Sequence, residues 1–168
     1  MSVFSWLNCL VPMLNTVLVL IHIVTASAWF GLGLRLAGKA RAVLSLEGAA
    51  AAALAEDTRS TVTWMNGFIV LTLVFAYANF FTSGGFAAYG PQFHAALTLM
   101  LVLVGVQFFM IRPGWNTLAD LVSNGADATS DAADSARKKV AIGTGIGHLL
   151  WVVLLVLMYF DQLIGPML

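Results

Sequence analysis

VLVLIHIVTASAWFGLGL, residues Val17 to Leu34, is long and apolar enough to cross a bilayer, yet it carries a histidine. Trp29 follows His22 by seven residues, close to two helical turns, so both side chains lie on one helix face. Gly31 and Gly33 come just after. A titratable ring inside a membrane span is costly. It normally faces a protein interior, as a ligand, a relay or a packed polar group.

The rest of the chain has the same character. Of its 168 residues, 60% are hydrophobic and 10% charged, against roughly 25% charged in soluble domains. Mean hydropathy is +0.91. The formal net charge is zero and there is no basic patch, which argues against a nucleic-acid partner. The lone cysteine, Cys9, excludes a disulfide framework within one chain and a CxxCH site for covalent haem. The opening MSVFSWLN lacks the positive region and cleavage site of a secretory signal, so the first span is expected to be retained.

Four apolar runs each accommodate a helix of about 20 residues, the bilayer requirement. They predict spans near 14–34, 61–82, 92–112 and 140–160 in one all-α transmembrane domain, a four-helix bundle. Phe4, Trp6 and Leu7 form an expected interfacial anchor, with Pro12 at or before the first helical turn. Connection 35–60 contains SLEGAAAAALAEDTRS, read as a short helix outside the hydrocarbon with Ser45 as N-cap. TSGGFAAYGP, from Thr82 to Pro91, is a turn. Arg112-Pro113 predicts a helix stop, because the residue before proline avoids helix. In connection 113–139, Trp115, Leu118 and Leu121 are expected on the membrane surface, and the acidic part that follows is expected to be mobile.

All eight Lys and Arg residues fall after span one, before span two, after span three or before span four. Those positions share one side. The positive-inside rule therefore predicts cytoplasmic connections, both termini on the outer, periplasmic side, and a multi-pass inner-membrane location.

The three histidines, His22, His94 and His148, each fall inside or at the edge of a span. Counting at 1.5 Å per residue puts His22 roughly 10–16 Å and His148 about 18 Å below the outer surface, with His94 higher. Paired imidazoles at similar depth, with no carboxylate in the spans, suit a non-covalent haem b. The run GTGIGH, ending in Gly147 and His148, offers a backbone that a flat macrocycle can approach, or else close helix packing. Trp29 and Trp151 each share a face with a histidine, whereas Trp6, Trp64 and Trp115 fall where interfacial belts are expected. Asn66, Asn79 and Gln107 are read as helix-to-helix hydrogen-bonding groups. Copper(I) is the alternative metal, because thioethers suit it. Met13, Met65, Met100, Met110 and Met158 form no MxxM or MxH pair, however, and read as lipid-facing or gap-filling residues.

His22, six residues, Trp29-Phe30 and then Gly, followed by a basic helix exit, resembles the HemJ-type protoporphyrinogen oxidases and the related CopD-type copper-resistance membrane proteins. The third span supports the likeness, opening with Phe93-His94 and running on as LTLMLVLVGVQFF. So does the four-span layout with a helix between spans one and two. The resemblance implies a small helical bundle binding haem b, with His22 as axial ligand. That group's enzymes carry a lysine two residues after the third-span histidine, where this chain has Ala96. Haem binding is implied here, and protoporphyrinogen oxidation is not.

The expected function is therefore membrane-embedded haem b binding with electron transfer, alone or with a redox partner. Expected site residues are His22, His148 and His94 as ligands, with Trp29, Trp151 and Gly147 beside the cofactor. The rivals are a structural subunit of a larger respiratory or photosynthetic complex and a CopD-like copper transporter. Lipid is the expected surround, and a homo-oligomer is compatible with it.

Overall fold

Hydrocarbon offers a backbone no water, so each apolar run must close its own hydrogen bonds, and a helix does this within one segment. The computed structural model describes residues 3–125 and 127–160, with side chains from position 12 onward. It has six α-helices: α1 Val3–Gly33, α2 Leu36–Ser45, α3 Gly48–Thr82, α4 Pro91–Val106, α5 Arg112–Ser123 and α6 Asp131–Met158. A 3-10 turn at Gly85–Ala87 and a π turn at Gln107–Ile111 complete the set, with no strand among the described residues. Four stretches are long and apolar enough to cross a membrane: Pro12–Ser45, Gly48–Thr82, Pro91–Ser123 and Asp131–Met158. This is the all-α, multi-pass architecture expected. The anchor at Phe4, Trp6 and Leu7, and the tail from Asp161, lie outside the described side chains.

The helices pack as a square. α1 lies along α3 and α4 along α6, while α3 touches α4 and α6 touches α1. α1 and α4 therefore occupy opposite corners and run in the same direction. α3 buries Ala51, Ala55, Thr58, Val62, Met65, Ile69 and Thr72, a regular alternation of four and three residues. That is the spacing of a left-handed helix seam, and its alanines let neighbouring backbones approach closely. α2 folds back at the same end, burying Leu36, Ala40 and Val43 against α3 and α6.

Several limits differ from those the sequence predicts. Ser45 is the last residue of α2, not an N-cap, and its hydroxyl donates to the Ala42 carbonyl. The alanine-rich segment after it is the first part of α3. With 35 residues, α3 is about 52 Å long, so it outreaches a roughly 30 Å hydrocarbon layer. Pro12 lies inside α1, which begins at Val3. Residues 131–139 are likewise helical, because the Ser130 hydroxyl caps α6 by accepting the Ala133 N–H.

The expected stop at Arg112-Pro113 is also absent, since the helix runs on into α5. Proline removes one i→i−4 hydrogen bond and crowds the carbonyl four residues back. The π turn accommodates this: the Arg112 N–H reaches the Gln107 carbonyl, five residues back. Continuing the helix carries Trp115 and Leu118 into the core, both fully buried rather than lying on the membrane surface. The Trp115 indole N–H donates to the Ala55 carbonyl at 3.2 Å. Trp64, by contrast, is 65% exposed.

Charges collect at the end formed by α2, α5 and the starts of α3 and α6. Lys39 pairs with Asp57 at 3.0 Å, Arg59 with Asp120, and both Arg137 and Lys138 with Asp134 at 2.6 Å. Exposed pairs of this kind add little stability. They do mark one end of the bundle as polar.

Candidate functional site

The two halves of the bundle are packed differently. Between Trp29 and the charged end the core is filled by side chains such as Met65, Ile111, Trp115 and Leu118, all fully buried. Beyond Trp29, towards the Gly85–Ala87 turn, the four long helices enclose a cavity of about 270 Å³. Ligand pockets run from roughly 300 to 1,000 Å³, so this one falls just below that range. Its floor is Trp29 and its walls are mainly apolar, with His22, Thr72, Asn79 and Tyr89 among the polar groups. No Asp or Glu is among its described lining residues.

Trp29 is fixed in place from two sides. Its indole N–H donates to Gln107 Oε1 at 3.0 Å, and Gln107 Nε2 donates to Asn66 Oδ1 at 2.8 Å. Gln107 is fully buried, so this chain satisfies groups that would otherwise be costly in hydrocarbon. On the other side a Cβ at Gly147 would stand 2.9 Å from Trp29 Cη2. Gly147 is therefore the space that the tryptophan ring fills. This contact supports the packing reading of GTGIGH at Gly147. Gly143 similarly adjoins Met110 and Ile111, while Gly145 has nothing within 4 Å.

His22 lines the cavity, and its Nδ1 is 3.0 Å from the Thr72 carbonyl oxygen. A carbonyl can only accept, so Nδ1 carries the proton and the neutral ring keeps its lone pair on Nε2. Tying one ring nitrogen to a carbonyl is how proteins orient a metal-binding imidazole. The Thr25 hydroxyl bonds the Ile21 and His22 carbonyls and lies 3.0 Å from the Thr72 hydroxyl, which fastens α1 to α3 at this level.

The other two histidines are elsewhere. His148 is not among the described lining residues. Its ring sits 4.8 Å from Phe30, and its Nε2 is where a Cβ on Gly33 would come within 2.9 Å. Gly33 is eleven residues along α1 from His22, about 16 Å of helix. His22 and His148 thus do not face each other, because the packing of α6 on α1 sets His148 beyond Trp29. His94 is enclosed by Phe80 and Phe86, with centroids at 6.0 and 5.2 Å, and likewise is not among the described lining residues. Neither His94 Nε2 nor His148 Nε2 has a hydrogen-bond partner. Trp151 does line the cavity and stacks on Phe30 at 4.2 Å.

The cavity also includes Ala96 and Met100, the latter read from the sequence as lipid-facing or gap-filling. The signal for Met100 was present as a spacing. Met100 precedes Gln107 by seven residues, as His22 precedes Trp29. Comparison with family models, with curated proteins and with solved structures gives no match.

Proposed function

We propose that this chain is an inner-membrane protein that binds one haem b non-covalently through His22 and exchanges electrons through it. The observation that carries the reading is His22 itself. Its Nδ1 is tied to the Thr72 carbonyl, which leaves Nε2 available as a donor at the mainly apolar cavity beyond Trp29. Such a donor suits a haem iron and mainly apolar walls suit a porphyrin ring, for which the cavity would have to widen. The bound haem would supply a one-electron ferric–ferrous couple. The protein's own residues orient the imidazole, exclude water and close the cavity floor at Trp29.

The distribution of charge supports our proposed orientation. With all eight cationic residues on the side of α2 and α5, the positive-inside rule favours a cytoplasmic position for that end and periplasmic termini. A reporter fused after Leu168 is expected to be active outside, and one inserted near Asp127 inside. The opposite pair of signals overturns the orientation.

A copper reading has one observation in its favour, since Met100 and Met158 line the same cavity as His22 and thioethers suit copper(I). Metal analysis of the purified full-length protein separates the readings. Haem binding predicts about one iron per chain. Copper without iron supports transport of that metal, and neither metal supports a structural subunit of a larger membrane assembly.

A further inference from the structure

An iron held by His22 has a second axial face, and the register of the bundle shows what lies across from it. Trp29 on α1 donates to Gln107 on α4 across the square. Because α1 and α4 run in the same direction, moving seven residues back along each gives positions at one level again, about 10.5 Å from that bond. Those positions are His22 and Met100. Seven residues rotate a helix face by only ~20°, so the pair retains the facing relation of Trp29 and Gln107. Both residues line the cavity, and Met100 is 5% exposed.

The chemistry of the α4 wall narrows the choice. Its other lining side chains are Phe93, Ala96, Leu97 and Leu103, which carry no donor atom. Ala96, one turn from Met100, presents only a methyl group. Met158 also lines the cavity, but on α6, which adjoins α1 instead of standing opposite to it, and as the last residue of that helix. Thioether sulfur is an established axial donor to haem iron and raises its potential relative to imidazole.

We infer that Met100 is the second axial ligand, opposite His22, which makes this a His/Met haem site; the inference rests on the haem reading above. The test uses full-length protein purified with its haem. Ferric wild type is expected to show the weak near-infrared charge-transfer band of thioether ligation, and its absence overturns the inference without any variant. Met100→Leu, close in volume, is expected to keep haem but become high-spin, and its ferrous form to bind carbon monoxide where wild type does not. Met100→His is expected to stay six-coordinate with a lower midpoint potential. Met158→Leu is expected to match wild type. A low-spin, carbon-monoxide-inert Met100→Leu protein, or the expected changes in Met158→Leu instead, overturns Met100 as ligand while leaving haem binding intact. Wild type without haem overturns both.

Discussion

His22→Ala protein is expected to purify without haem, whereas His148→Leu and His94→Leu are expected to keep the wild-type content. Alanine removes the imidazole whose Nδ1 is held by the Thr72 carbonyl and leaves no nitrogen donor in its place. Loss of a partner that merely orients a ligand costs metal sites about 10–100-fold in affinity, so loss of the ligand itself is expected to cost more than about 100-fold. The other two replacements separate this account from a bis-histidine site. The His148 ring is wedged between Phe30 and the Gly33 backbone, and the His94 ring sits among Phe80 and Phe86. In each, Nε2 is buried without a hydrogen-bond partner, so an apolar replacement abolishes no bond of that nitrogen. The check is haem per chain after detergent purification. Haem lost from the His148 variant and retained by the His22 variant would reverse the assignment.

Trp115→Ala is expected to be the most destabilising single change in the packed half. Its indole is fully buried and donates to the Ala55 carbonyl, joining α5 to the first part of α3. Truncating a buried tryptophan costs about 3–5 kcal/mol in protein cores. The alanine seam of α3 beside it leaves few long side chains able to close the gap. Thermal unfolding in detergent should show a large drop in midpoint for Trp115→Ala. Trp115→Phe should lose chiefly the hydrogen bond, about 1 kcal/mol. Trp64→Ala, at a position 65% exposed, is the surface comparison and should stay near wild type. Equal effects at positions 64 and 115 would contradict the packing described.

Hydropathy was sufficient for four spans, because only an unbroken apolar run survives in hydrocarbon. It was a poor guide to where helices end. α3 and α6 extend beyond the spans expected from hydropathy, on alanine-rich and charged segments that are themselves good helix formers. Pro113 misled because a π turn, invisible in residue types, absorbs its missing N–H. The same continuation hid Trp115, which looked interfacial only while the helix was assumed to stop before it.

At the site, His22 and Trp29 were legible from burial cost and spacing along one helix. His148 was not, since its depth depends on how far α6 slides along α1, and counting from an assumed span edge cannot supply that. Gly147 was recognised as a close-approach position, but the sequence does not say that the approaching group is Trp29. Thr72 and Met100 lie on two further helices, and their relation to His22 comes only from packing.

Haem binding is read out by the visible spectrum of the purified wild-type protein before and after reduction with dithionite. The protein is expected to show a Soret band that sharpens on reduction, with resolved α and β bands of a haem b, and about one extractable haem per chain. Colourless protein, folded and purified from cells supplied with haem precursor, would contradict haem binding.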